Sequence, residues 1–212
     1  MARLTRSLLL CGAALLIAAC TRVVDGAAVA GPGAASRAVN GVNVDEILLD
    51  QSRMRAIAGA GDDMTIIPTM DGTRPVDIDE LAKTAPRPCR FVYAETATFG
   101  PDLAEFHKTT FQDPPKGGLI SEGAAAYRDV DTARLAFGSL VATVRDCADS
   151  SAGEVYVGEW KADADSLHIR PGGCGRDYRV LSIVLLEVTF CGFPQSVSDI
   201  VMTNIAANIP SY

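Results

Sequence analysis

Cys174-Gly-Arg-Asp-Tyr-Arg-Val-Leu-Ser-Ile-Val-Leu-Leu-Glu-Val-Thr-Phe-Cys191 is the stretch on which the fold turns. Arg179 to Phe190 is rich in Val, Ile and Leu, the composition of a strand on a half-buried pleated surface. If Ser182-Ile183 forms the turn, opposed residues have numbers that sum to 365, and Cys174 faces Cys191. A disulfide there would close the open end of a hairpin, where the distance between partners suits it. The same register sets Asp177 and Arg179 against Val188 and Leu186, mixing charge into an apolar face. It sets Arg176 and Tyr178 against Thr189 and Glu187 on the other face. A bulge in the first arm or a place at the sheet edge would resolve the conflict. Ser182-Ile183 is also poor two-residue turn chemistry, so the register stays provisional.

The chain has 212 residues and six cysteines. Pairing Cys174 with Cys191 leaves Cys89 and Cys147 for each other, while Cys11 and Cys20 belong to the N-terminal segment. On loop-closure arithmetic each bridge contributes roughly 3–4 kcal/mol. Cys147 ends the clearest helix, which Asp129 or Asp131 can cap. Ala133, Ala136, Phe137, Leu140, Val141, Val144 and Ala148 recur along it at three- and four-residue spacing.

Around this core the remaining elements read more weakly. Asp50 can cap a short helix carrying Met54, Ile57 and Ala58, ended by Gly59 and Gly61. Thr65-Ile66-Ile67 reads as a strand stopped by Pro68, and residues 69–88 as a long loop of the kind that more often marks function than connection. Arg90 to Tyr93, Phe106 to Phe111, Glu154 to Lys161 and Ser166 to Arg170 read as strands. Leu119 to Tyr127 is a strand diluted by Gly and Ala. Val197, Ile200, Val201, Ile205 and Ile209 sit at helical spacing before Pro210. Helices alternating with meander-like strands predict an α+β fold, a twisted antiparallel sheet packed with helices and carrying two disulfides.

The first nineteen residues have a different character. Arg3 and Arg6 precede an apolar run from Ser7 to Ala19, too short to span a bilayer comfortably and ending in small residues. This predicts a lipoprotein signal peptide over 1–19, and Ile17-Ala18-Ala19-Cys20 is similar to a bacterial lipobox with Cys20 as the lipidation site. Residues 20–41, small and aperiodic, read as a flexible tether, and 42–212 as the folded domain. The whole chain carries 19 basic and 26 acidic side chains. Without the two leader arginines the balance is 17 against 26, a net charge of −9. Such a chain, lacking a basic cluster, does not suit nucleic acid, and attachment to a membrane would come from the lipid alone. The expected location is therefore the extracytoplasmic face of the cell membrane.

Several of these segments together resemble one family. They are Val44-Asp-Glu-Ile-Leu-Leu49, Arg90-Phe-Val-Tyr93 directly after Cys89, Asp131-Thr-Ala-Arg-Leu-Ala-Phe137 running to Cys147, and Cys174-x-Arg176-x-Tyr178-Arg-Val180 followed by Cys191. The set is similar to the PknH-type extracellular sensor domain, found on the outside of some mycobacterial serine/threonine kinases and as free-standing lipoproteins. The resemblance spans about residues 43–210. It implies a twisted antiparallel sheet, the disulfide pairing above and a deep cleft for an unidentified ligand. Leu181-Ser182-Ile183 departs from the Asn-rich turn frequent in the family. The chain shows no kinase motif and no span beyond the leader, so only the ligand-binding half of the inference carries over.

Signatures of catalysis are lacking: the sequence has no G-x-S-x-G, S-x-x-K, H-E-x-x-H or C-x-x-C. Its two histidines, His107 and His168, supply few parts for a triad or a zinc site. Asp62-Asp63, Asp77-x-Asp79-Glu80 and Asp163-x-Asp165 do not fit an EF-hand and read as solvated loop acids. Tyr156, Trp160, His168, Arg176 and Tyr178 are the candidate lining of an apolar cleft with a few polar groups. The expectation is a non-catalytic protein without cofactor or metal, binding a small or lipidic ligand or an envelope protein. A hydrolase would require Ser, His and acid side chains to converge.

Overall fold

The structure, a computed structural model, describes residues 41–210. The proposed leader, Cys20 and nearly all of the tether lie outside these residues. Two short helices, α1 (Val44–Ile47) and α2 (Gln51–Ala58), open the domain. Asp50 caps α2 by accepting the Arg53 N–H, and Gly59 ends it in the left-handed conformation. Strand β1 (Thr65–Ile66) stops at Pro68, which begins a short 3-10 turn. Next come α3 (Asp79–Thr84), a 3-10 segment over Arg87–Val92, and α4 (Glu95–Phe99).

Two of these elements correct the reading of the sequence. Residues 69–88 hold a helix rather than an unbroken loop. Arg90 to Tyr93 is no strand: Pro86 and Pro88 fix φ and withhold two N–H donors, and Cys89 is buried against the helix that carries Cys147.

Strands β2 (Leu103–Asp113) and β3 (Gly118–Tyr127) form the longest hairpin, joined by the turn at Pro114–Lys116. Helix α5 (Val130–Ala148) is capped by Asp129, which accepts the Thr132 N–H at 2.7 Å. Ala133, Phe137, Leu140, Val144 and Cys147 form its buried face. The segment Glu154–Lys161, expected as one strand, divides into α6 (Gly153–Tyr156) and β4 (Glu159–Ala162). Val155 is 71% exposed and Val157 fully buried, so the two valines do not share a strand face. Strands β5 (Ser166–Arg170), β6 (Cys174–Leu181) and β7 (Val184–Cys191) and helix α7 (Gln195–Ala207) complete the domain. On α7, Val197, Val201 and Ile205 face inward while Ile200 is exposed.

All seven strands pair antiparallel, in the order β1-β2-β3-β7-β6-β5-β4. One face buries Leu186, Val188 and Phe190 of β7 against α1, α2 and α7. The other buries Leu185, Tyr178, Leu167 and Ile169 with α5 and the 87–92 segment. Between these layers β3 is fully paired on both sides. Its Ala124 and Ala126 meet the first cluster and Ala125 the second, so the small side chains that blurred its strand signal belong to a buried central strand.

Both disulfides form as the sequence suggests, Cys89–Cys147 and Cys174–Cys191. Cys174 pairs with Cys191 and Leu181 with Val184 without a shift, so Ser182-Ile183 is the turn. Ser182 takes a φ of 54°, the one non-glycine positive φ among the described residues. The charge conflict resolves through neither bulge nor edge. Strand β6 is interior, and Asp177 is buried with partners of its own.

Glu122, in β3, is a buried carboxyl on the α1–α2 face. Its Oε1 accepts the Leu49 N–H at 2.8 Å, and its Oε2 has no partner. Burial pushes its pKa up to about 8. The folded protein therefore holds a proton that the unfolded chain releases above the ordinary value of 4.5. Stability falls as pH rises from about 4.5 to 8, by up to ~1.4 kcal/mol per unit, and the full cost is present above 8. Glu122→Gln removes the ionisable group and keeps the acceptor. Thermal unfolding should show the variant gaining on the parent between pH 5 and 8.5; a gap that does not change with pH would refute this assignment.

Candidate functional site

One cross-strand row carries a buried ion pair. Lys108 of β2 lies opposite Gly123 of β3, Gly123 opposite Glu187 of β7, and Glu187 opposite Tyr178 of β6. Alternation along each strand puts all four on the α5 face of the sheet. Gly123 leaves the row open: a Cβ there would already sit 3.6–3.7 Å from Glu187 and Lys108. A longer side chain would stand in the path of the ion pair. Across this gap Lys108 Nζ reaches Glu187 Oε2 at 2.9 Å, and it also meets Glu95 Oε1 of α4 at 2.9 Å. Glu187 Oε1 accepts from Thr189 Oγ1 at 2.9 Å and from Tyr178 OH at 3.4 Å, with Arg176 Nη1 at 3.8 Å. Arg176 Nη2 donates to the Val92 carbonyl at 2.9 Å.

The charges decide the ionisation states. Burial alone would drive Glu187 towards its neutral form, but Lys108 and Arg176 outweigh it and hold the carboxyl below its ordinary pKa. Burial likewise opposes the Lys108 ammonium, and Glu187 and Glu95 more than compensate, raising its pKa. Tyr178 is pushed up by burial and by Glu187, so its hydroxyl stays a proton donor.

Residues 69–78 pass over this part of the sheet as a strap. Gly72 exchanges two backbone hydrogen bonds with Lys108, and the Ile78 N–H donates to Tyr93 O. Glu95 Oε2 accepts the Val76 N–H at 2.7 Å, and Asp77 accepts from the Thr96 N–H and hydroxyl. Asp71 accepts from Thr109 Oγ1 at 2.8 Å and approaches His107 Nε2 at 3.1 Å. Under the strap lies a cavity of about 300 Å³. Met70, Val76, Ile78 and Phe106 give it apolar walls; Lys108 and Glu95 supply charge. Met70, Val76, Ile78 and, just beyond, Leu81 are each at least 44% exposed, so the wall continues as an apolar rim.

The five residues expected to line one cleft are divided. Trp160, Arg176 and Tyr178 share the α5 face, with Trp160 beside Ile169 at the sheet's far end. Tyr156 packs edge-on against Tyr93 at 6.2 Å. Tyr178 is fully buried and, with Arg176, supports Glu187 behind the cavity without lining it. His168 is on the opposite face. It lines a second cavity of about 310 Å³ with Asp177, Tyr178, Arg179, Asp199 and Thr203, so of the five expected residues only His168 and Tyr178 share this lining. The residues missed were Lys108, Glu95 and Glu187, which are separated by up to 92 positions in the chain.

Ser, His and acid side chains do converge at Asp177. The carboxylate accepts from the Ser198 hydroxyl at 2.5 Å, meets His168 Nδ1 at 2.7 Å and forms an ion pair with Arg170 Nη2 at 2.7 Å. The order is wrong for nucleophilic catalysis, because the serine donates to the acid and not to the imidazole. Ser198 is also fully buried. No group of three or more His, Cys, Asp and Glu among the described residues is placed to hold a metal ion. The loop acids have other partners: Asp62 pairs with Arg55, and Asp163 lies 3.8 Å from Lys161.

A disulfide-stapled α+β domain with an antiparallel sheet and a side cleft is the class this architecture defines. The family model for the PknH-like extracellular domain matches residues 39–209, and the chain belongs to that family of extracellular sensor domains. Its fold is similar to the crystal structure of the extracellular domain of PknH from Mycobacterium tuberculosis. That match has a TM-score of 0.59 at 15% identity and covers 77% of this chain and 93% of the other. No curated protein matches the chain. No helix among the described residues is long and apolar enough to cross a membrane.

Glu187→Gln leaves Lys108 and Arg176 short of a buried counter-charge, which costs about 3–5 kcal/mol at neutral pH. Because the parent carboxyl's pKa is depressed, its contribution is present above the ordinary 4.5 and is lost as pH falls through the lower folded value. Urea unfolding should show the variant's deficit at pH 7 shrinking on acidification below 4.5. A deficit of equal size at both ends would contradict the ionised state.

Proposed function

We propose that the protein is a membrane-anchored, extracytoplasmic, non-catalytic sensor-like lipoprotein that binds a ligand in the cleft between the 69–78 strap and β2. The supporting observation is the cleft itself: apolar walls from Met70, Val76, Ile78 and Phe106 meet a polar floor at Lys108. Few precisely placed polar groups in an apolar concavity are what small-molecule sites use for orientation. In this reading Cys20 carries the lipid, the tether spaces the domain from the membrane, and no reaction follows binding. Arg176 and Tyr178 serve indirectly, through Glu187, while Tyr156, Trp160 and His168 contribute structure or secondary contacts.

A second reading, an envelope-protein interaction module, is favoured by the exposed rim of Met70, Val76, Ile78 and Leu81. Native mass spectrometry of the protein produced in an oxidising compartment separates the two. Capture predicts retained or newly bound envelope molecules, lost in a Val76→Arg variant. A clean apo mass after exposure to envelope extract would contradict capture. Cys20→Ala should move the protein from the membrane to the soluble fraction; retention of the variant in the membrane would refute the anchor.

A further inference from the structure

The charges around the cleft specify the ligand's head group, given the cleft-binding reading above. Lys108 and Glu95 line the floor, and Glu187 and Arg176 stand behind them, so two positive and two negative charges form one connected network. The network is neutral before any ligand arrives. An anionic head placed against Lys108 would meet two carboxylates already there, and a cationic head would meet the ammonium. At this floor either charge would lose its hydration without a free counter-ion, because the other charged lining residues, Asp71 and Arg74, are exposed to water. One hydrogen-bonding position remains. An ammonium has three donors, and Glu95 and Glu187 are the two acceptors on Lys108 Nζ. The third N–H is left for an oxygen that accepts without carrying charge.

The remaining polar wall offers little else. Thr110 Oγ1 is paired with Ser121 Oγ at 2.9 Å, and the Asp71 carboxylate is engaged by Thr109. Arg74, also in the lining, is exposed to water, where its charge is screened. The apolar wall is continuous with the exposed rim, so a chain longer than the cavity can extend outward along it. A volume of about 300 Å³ is roughly twice the ~150 Å³ that accommodates a benzene ring.

The geometry points to a single uncharged amphiphile as the ligand: an aliphatic chain against Met70, Val76, Ile78 and Phe106, with one hydroxyl, ester or amide oxygen accepting from Lys108 Nζ. Recognition is by exclusion of charge at the floor and by apolar contact along the strap.

Three photoactivatable dodecyl probes of equal chain length test this on the full chain in its membranes. Each carries a diazirine in the chain, and the heads are a hydroxyl, a carboxylate and a trimethylammonium. The readout is the share of cross-links that fall in residues 69–81 and 104–112 by peptide mass spectrometry. The hydroxyl probe should label these peptides about tenfold or more above either charged probe. Ile78→Asp, at a position 47% exposed and therefore tolerant for folding, should abolish that preference. Equal labelling by all three heads, or a preference that survives Ile78→Asp, overturns the assignment. Preferential labelling by the carboxylate or trimethylammonium probe overturns the uncharged head and leaves a ligand-binding cleft standing. Absence of cleft labelling by every probe counts against both.

Discussion

The ion pair between Lys108 and Glu187 is the constraint from which the rest of the sheet follows. Two opposite charges sit in the middle of a seven-stranded sheet, on neighbours of a central strand, and they meet across a glycine of that strand, where a Cβ would already be in van der Waals contact with both side chains. Taking such charges from water costs several kcal/mol each, recovered only when geometry and further hydrogen bonds are good. The surrounding residues supply those bonds. Glu95 takes a second donor of Lys108, and Thr189, Tyr178 and Arg176 satisfy Glu187. The pair also fixes where strap and α4 must lie, because Glu95 holds the Val76 N–H with its other oxygen. Cleft and network are thus one construction: the network is the floor, and the strap that it positions is the wall.

The opposite face answers the same problem at Asp177. There a buried carboxylate joins β5, β6 and α7 through His168, Arg170 and Ser198. Arg170 lies over the Phe190 ring at 5.4 Å, above Gly175, where a Cβ would strike that ring. Each face of the sheet therefore combines an apolar cluster with a compensated charge centre, Lys108–Glu187 on one and Asp177 on the other. The disulfides hold the periphery, one tying the end of α5 to the 87–92 segment and the other closing the open end of the β6–β7 hairpin.

Local patterns in the sequence carried the elements whose stability is local. Helix α5 announces itself by spacing and by Asp129, and the β6–β7 register follows from two cysteines and a two-residue turn, even though Ser182 is an unusual residue for the left-handed position. Elements shaped by distant contacts were less legible. Arg90 to Tyr93 has strand composition, yet flanking prolines and the bridge to Cys147 hold it as a 3-10 segment. Strand β3 looks weak because its alanines serve two packed layers. The cleft was the least legible part. Tyr178 and Arg176 stand out as polar and aromatic residues beside a cysteine, but Lys108 and Glu187 are 79 positions apart. Only the register through Gly123 brings them together. His168 shares a cavity lining with Tyr178 but is parted from Tyr156, Trp160 and Arg176 for a simpler reason: strand alternation sends it to the other face.

The central claim is that Lys108 and Glu187 act as a mutually compensating buried pair and not as two independent polar side chains. A double-mutant cycle with Lys108→Met and Glu187→Gln, read by urea unfolding at neutral pH, tests it most directly. Each single change strands a charge and should cost about 3–5 kcal/mol, while the double variant should recover at least about 2 kcal/mol of their sum. Costs that simply add would contradict the account.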